Sequence, residues 1–280
     1  MASYAQSIGD LTFNISGNFT ILDNEVTELG QDPIEGGGFT SNGLSATLTD
    51  VGQPIGAFYG YKVIGIYQSD QEAIEDGRSD GAGAGDFIFQ DFDGEPGIST
   101  DDQTFLGSPI PTLEYGLNIN AEYKGFDLNL FFNGVDGNDI LNANLYRGFF
   151  DTEGNYLAEA TNAWTTQNMN TNIPKNTLVD AGFNRRMSDF YLESGAYFRL
   201  RNFQLGYSLP TDLSQAGISR VRFYTSIQNL FTITDYTGYY PEVGRGGRDR
   251  GSNQDIFNAG VDENAYPMAR TYQFGVQVSF

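Results

Sequence analysis

Six stretches of this chain alternate apolar and polar residues over the length of a long β-strand, and no other feature restricts its fold as much. A period of two gives a strand one greasy face and one wet face. The last stretch, TYQFGVQVSF, sets Tyr272, Phe274, Val276, Val278 and Phe280 against Gln273, Gly275, Gln277 and Ser279. In LTFNISGNFTI, Leu11, Phe13, Ile15, Phe19 and Ile21 oppose Thr12, Asn14, Ser16, Asn18 and Thr20. LEYGLNINAEY groups Leu113, Tyr115, Leu117, Ile119, Ala121 and Tyr123. After the two-residue turn Lys124-Gly125, FDLNLFFNG groups Phe126, Leu128, Leu130 and Phe132. YFRLRNFQLGYSL, from Tyr197 to Leu209, slips phase near Arg201, which reads as a bulge or as an upper part projecting beyond the buried region. VRFYTSIQNLF, from Val221 to Phe231, completes the set. Each has roughly the nine to eleven residues that a tilted strand needs to cross a bilayer.

The connections are lopsided. Residues 23–112, 135–195 and 233–269 are long, whereas Lys124-Gly125 and 209–219 are short, so long and short alternate along the chain. A compact soluble domain seldom carries three such loops. An outer-membrane barrel does, with short periplasmic turns and long extracellular loops. A soluble β-sandwich, and with it a secreted enzyme working through carboxylates, predicts the alternation but not the lopsidedness. Asn, Gln, Ser, Thr and Glu opposite the apolar face suit a wet lumen, and Tyr115, Tyr123, Phe126, Tyr207, Phe231, Tyr272 and Phe280 sit near strand ends, as an aromatic girdle requires. The expected fold class is all-β: antiparallel strands of a transmembrane β-barrel with long extracellular loops. Six strands fall short of the practical minimum of about eight, so residues 1–280 are expected to be the C-terminal part of a larger barrel. A small barrel presenting acidic loops, as a surface-exposed binding or adhesion protein, is the main rival.

A net charge of −21 argues against nucleic acid and anionic lipid headgroups as partners, since both repel an acidic surface. The chain has no Cys and no His, which removes thiol nucleophiles, disulfides, the commonest general base and the commonest transition-metal ligand. No catalytic residue stands out, and none is expected. MASYAQSIGD has neither a basic start nor an apolar core, so an export signal is expected upstream unless the protein is cytoplasmic.

The densest polar motif is DFDGEPGISTDD. Asp91, Asp93, Glu95, Ser99 and Asp102 occupy the side-chain positions of a calcium loop, and Gly97 supplies its carbonyl position. Pro96 stands where such loops need Gly, so the alternative is a solvated acidic turn held by Asx-type hydrogen bonds. GRSDGAGAGD lacks the Lys-Ser/Thr of a phosphate loop and reads as a flexible loop. GRGGRDRG concentrates Arg245, Arg248 and Arg250, for an anionic ligand or partner or for neutralising nearby carboxylates. Trp164, Tyr236, Tyr239 and Tyr240 lie in expected extracellular loops, either as exposed rings for cargo or partner or as packing between loops.

Several stretches resemble the SusC/RagA family of TonB-dependent outer-membrane transporters. They are VGQPIGAFYGYKVIGIYQ, GDFIFQDFDGEPGISTDDQTFLGSPIPTLEYGLN, YFRLRNFQLGYSLP, IQNLFTITDYTGYYPEV and YPMARTYQFGVQVSF, in family order. The resemblance implies energised import of oligosaccharides or peptides through a barrel of a Gram-negative outer membrane. It also implies a SusD-like lipoprotein over the extracellular mouth and TonB acting through an N-terminal region. The C-terminal aromatic strand, Tyr272 to Phe280, resembles the signal read by the outer-membrane assembly machinery, with the C-terminus in the periplasm.

Overall fold

The computed structural model describes residues 1–38, 45–78, 81–150, 154–177, 179–210, 217–243 and 255–280. Its main sheet has seven antiparallel strands in chain order: β1 (Ala2–Ile8), β2 (Leu11–Ile21), β3 (Leu113–Tyr123), β4 (Phe126–Asp136), β5 (Tyr197–Ser208), β6 (Arg220–Thr234) and β7 (Thr271–Ser279). The six alternating stretches supply β2 to β7. Sequence reasoning missed β1, because the same residues were read for an export signal and carry only Tyr4 and Ile8 as large apolar side chains. Gly9, with φ 59° at the first central position of a two-residue turn, folds β1 back on β2 so that Ile8 faces Leu11. Lys124 and Gly125 both have positive φ, 47° and 88°, the geometry of a type I′ turn whose twist matches the strands it joins.

The phase slip in β5 is a bulge. Leu200 pairs with Phe132 and Asn202 with Phe131, so Arg201 is extra relative to β4. The insertion keeps apolar side chains on one face although their numbering changes parity. Phe198 stacks on Phe132 at 5.3 Å before the bulge, and Tyr207 meets Phe126 at 4.5 Å after it.

All three long connections leave the same end of this sheet, the end where Ile21 pairs with Leu113 and Tyr197 with Thr234. Among the described residues they fold into a compact body. Short strands pair in three small sheets, joined by helices α1 (Asp70–Asp76) and α2 (Ala143–Phe150). Both buried apolar clusters found among the described residues lie mainly here. One gathers Phe58, Leu141, Phe149, Phe150, Met187, Tyr191 and Val261; the other gathers Tyr61, Ile66, Phe87, Phe89, Ile98 and Trp164.

The described part of GRSDGAGAGD is ordered, not a free loop. Asp86 is fully buried and accepts from Gly83 N, Asn184 Nδ2 and Lys175 Nζ, while the Gly85 carbonyl accepts from Lys175 N. Four donors aimed at one turn leave it no freedom to swing, and a buried carboxylate needs such partners.

Candidate functional site

The two faces of the seven-stranded sheet have opposite chemistry. On one face of β7, Tyr272 is 54% exposed, Phe274 82% and Val276 57%, and Phe19, Phe223 and Ile233 are exposed on other strands. A sandwich would cover this face with a second sheet; here no described residue does. A band of exposed rings and branched aliphatics is costly in water and favourable against hydrocarbon.

The opposite face is polar and internally bonded. Asn120, Asn129 and Asn202 line up across β3, β4 and β5, with Asn129 Nδ2 donating to Asn120 Oδ1 at 2.5 Å and Asn202 Nδ2 to Asn129 Oδ1 at 3.0 Å. Arg222 on β6 reaches over β5 to form a two-pronged pair with Asp127 on β4, its Nε 2.8 Å from Oδ1. The strand it crosses carries Gly206 at that point. A Cβ there would lie 2.5 Å from both Arg222 Nε and Asp127 Oδ1. Gly206→Ala is therefore expected to push the pair apart at a cost of about 2–3 kcal/mol. A lowered temperature for loss of the compact, heat-modifiable gel band would register it; an unchanged temperature would show that the crossing carries no stability.

Sequence reasoning missed the junction between sheet and loop body. Arg199 on β5 is fully buried, with its guanidinium 4.7 Å from the centre of the Tyr197 ring and 4.4 Å from that of Tyr240. Its Nε donates to Thr232 Oγ1 at 2.8 Å and its Nη1 to Glu242 Oε2 at 2.5 Å and to Tyr240 Oη. Glu242 also accepts from Tyr197 Oη at 2.7 Å and lies 3.5 Å from Arg201. Burial pushes the Glu242 carboxyl up, but hydrogen bonds from Tyr197, Tyr240 and Arg199 outweigh it and hold the group below its usual range. Burial and the same carboxylate push the Tyr240 phenol up to about 12, so it stays a neutral donor. The only signal in the sequence was the pair of arginines in YFRLRNF, unusual within an alternating strand.

This latch gives a pH dependence with a definite sign. A carboxylate whose folded pKa is depressed contributes stability that is fully present above its unfolded value, 4.5, and is lost as pH falls through the folded value. Hydrogen exchange at residues 235–243 is expected to accelerate only below that point, and a flat profile down to full protonation would contradict it.

The aromatic candidates divide. Trp164 is buried in the Tyr61–Phe89 cluster and donates from its indole nitrogen to Gln68 Oε1 at 3.0 Å. Tyr236 is buried with its hydroxyl on Asp262 Oδ2 at 2.5 Å; burial first, then that hydrogen bond, pushes its pKa well up. Tyr240 belongs to the latch. These three rings pack the loops, the second of the two roles open to them in the sequence. Tyr239 stays 72% exposed beside a cavity of about 430 Å³ that Asn144, Arg147, Asn155 and Asn264 also line. Arg245, Arg248 and Arg250 lie outside the described residues.

Of the six calcium-loop positions, Asp91, Asp93 and Asp102 bring carboxylate oxygens within 4.8 Å of one another. Asp102 is fully buried and already accepts from the backbone N–H groups of Phe92 at 2.8 Å and Ser99 at 2.8 Å, with Asp93 at 3.4 Å. Burial raises its pKa, and those donors, with the Arg186 charge, more than reverse the effect. Asp91 accepts from Gly94 N and Asp93 from Glu95 N, so the turn closes through Asx-type bonds. Gly94 and Gly97, at φ 74° and 95°, make the bends that Pro96 cannot. Glu95 is exposed and stands outside the carboxylate group, and Ser99 Oγ is turned inward to cap Asp101 N at 3.0 Å. The three converging carboxylates suit a hard cation, but they fill only part of a shell of six to eight oxygens.

No family profile matches the chain. TonB-dependent receptor P3 of Formosa agariphila is 38% identical over 234 residues, 82% of this chain and 22% of that protein. TonB-dependent receptor SusC of Bacteroides thetaiotaomicron is 27% identical, covering 97% of this chain and 25% of its own length. Among solved structures, that of the RagAB peptide transporter superposes with a TM-score of 0.75 at 25% identity, over 99% of this chain and 28% of the solved one. The chain thus spans about a quarter of the length of the proteins it matches. With relatives of that kind matched along most of the chain and the fold superposed over 99% of it, the chain belongs to the SusC/RagA-like TonB-dependent receptors, as a segment of their barrel.

Proposed function

We propose that this segment forms part of the barrel wall and extracellular loop body of a transporter that imports oligosaccharides or peptides across the outer membrane of a Gram-negative bacterium. The observation that carries the reading is the uncovered apolar face of the sheet, combined with long connections at one end only. In this reading the apolar face meets lipid and the Asn120–Asn129–Asn202 row faces the lumen. The loop body stands outside the cell, where a SusD-like lipoprotein would cover it. The end of β7 lies in the periplasm, where Tyr272, Phe274, Val276, Val278 and Phe280 serve the assembly machinery, and TonB acts through another part of the receptor. Its relatives are receptors and a peptide transporter, which supports import rather than catalysis.

Surface labelling tests the orientation. Cysteine at Tyr239 is expected to react with an impermeant maleimide on intact cells, and cysteine at Lys124 only after the outer membrane is opened. The reverse pattern would overturn the reading. Calcium enters the proposal in reduced form, held by Asp91, Asp93 and Asp102 alone, where it would neutralise three clustered carboxylates. Terbium luminescence sensitised by nearby rings and abolished in Asp93→Asn would support it; no signal at millimolar terbium would leave the turn to its hydrogen bonds.

A further inference from the structure

Arg186 is an unpaired cation in an acidic chain. Each of the other described Lys and Arg side chains has an ion pair or hydrogen bond to a described residue. Arg186 has neither, and its Nη1 is buried without a partner. Its guanidinium lies 4.5 Å from the centre of the Phe183 ring, 4.9 Å from Tyr61 and 5.8 Å from Phe89. Ring faces fix the plane of the group and favour its charge, but they offer nothing to its N–H edge. Asp102 is near enough to feel that charge, yet its oxygens are taken by Phe92, Asp93 and Ser99.

Arg186 borders two cavities in the loop body. The smaller, about 350 Å³, also touches Arg78, whose charge Asp76 already neutralises through Nε and Nη2. The larger, about 540 Å³, is lined by Tyr59, Tyr61, Thr100 and Gln103 among others. None of these four side chains hydrogen-bonds to a described residue, although each carries a polar group. Among the described residues its one lining carboxylate is Glu35, which accepts from Ser45 Oγ at 2.8 Å in an exposed position, while Asp101 and Asp50 are near enough to act on Tyr59. Four polar side chains without a described hydrogen-bond partner and the unpaired Arg186 thus border one space.

We propose that this cavity binds a small ligand through a carboxylate that pairs with Arg186, with Tyr59, Tyr61, Thr100 and Gln103 serving the ligand's hydroxyl or amide groups. A planar carboxylate matches the guanidinium fork with two parallel bonds. A uronic sugar and a peptide C-terminus present the same group, so either source fits. The proposal concerns binding only, and it stands or falls apart from transport.

Calorimetry on the complete receptor in detergent, with glucuronate, N-acetylglycine and neutral glucose as probes, tests it. At least one of the two carboxylates is expected to bind while glucose does not. Glucuronate alone would identify a saccharide source and N-acetylglycine alone a peptide source. Arg186→Gln is expected to weaken binding about tenfold or more, the effect of losing one charge-assisted pair, and Arg186→Lys less. Tyr59→Phe with Gln103→Ala alters the cavity without touching the rings beside Arg186 and is expected to weaken binding severalfold. That double variant decides the matter where Arg186→Gln fails to fold. No binding of either carboxylate, equal binding of glucose, or affinity unchanged in these variants would overturn the assignment. Carboxylate binding without uptake would count against the transport reading alone.

Discussion

Phe274→Arg is expected to destabilise the inserted barrel by about 2–4 kcal/mol, whereas Gln273→Arg, one residue away, is expected to be nearly neutral. Phe274 lies near the middle of β7 on the uncovered apolar face, 82% exposed, so the guanidinium would face hydrocarbon. Gln273 points to the opposite face, where it pairs in register with Ser226 and where water and polar side chains can solvate a charge. The contrast matters more than either value, because a general intolerance of Arg in β7 would affect both. Urea unfolding of the receptor in lipid vesicles reads the difference directly. Equal effects would mean that the two faces of β7 do not see different solvents.

Arg199→Met is the second large effect. It leaves Glu242 with Tyr197, Tyr240 and a distant Arg201 but without its buried counter-ion. Breaking a buried pair by removing one member costs about 3–5 kcal/mol, and because a quarter of the Glu242 side chain is exposed the lower end applies. Most of that loss should fall on the segment 235–243, which the latch ties to the end of β5. Hydrogen exchange there is expected to rise about a hundredfold, as about 3 kcal/mol implies. Arg201→Met, with its side chain 42% exposed and 3.5 Å from the carboxylate, should change little. If both variants behaved alike, Arg199 would be filling space and not fastening the loop.

The strands were legible because a one-sided apolar sheet writes itself into sequence with a period of two. That is why β2 to β7 can be read from residues alone, and so can the phase slip near Arg201, although only the pairing register decides that it is a bulge. β1 was not legible, since Gln6 interrupts its apolar side and its neighbours are small. The loop body was hardly legible at all. Its cores join residues far apart in the chain, such as Phe58 with Val261, or Phe87 with Trp164, and no local pattern announces such meetings. For the same reason exposed and packed rings looked alike in sequence: Tyr239 and Tyr240 are adjacent, yet one faces outward and the other lies against Arg199. Arg186 was invisible too. Its lack of a partner is a statement about everything around it.

The central claim is that the apolar face of this sheet is a lipid face. Spin labels placed singly from Tyr272 to Ser279 test it most directly in the receptor reconstituted into vesicles. Oxygen accessibility is expected to peak at Tyr272, Phe274, Val276 and Val278, and accessibility to a polar nickel complex at Gln273, Gly275 and Gln277. Uniform accessibility to the polar reagent, or loss of the two-residue period, would contradict it.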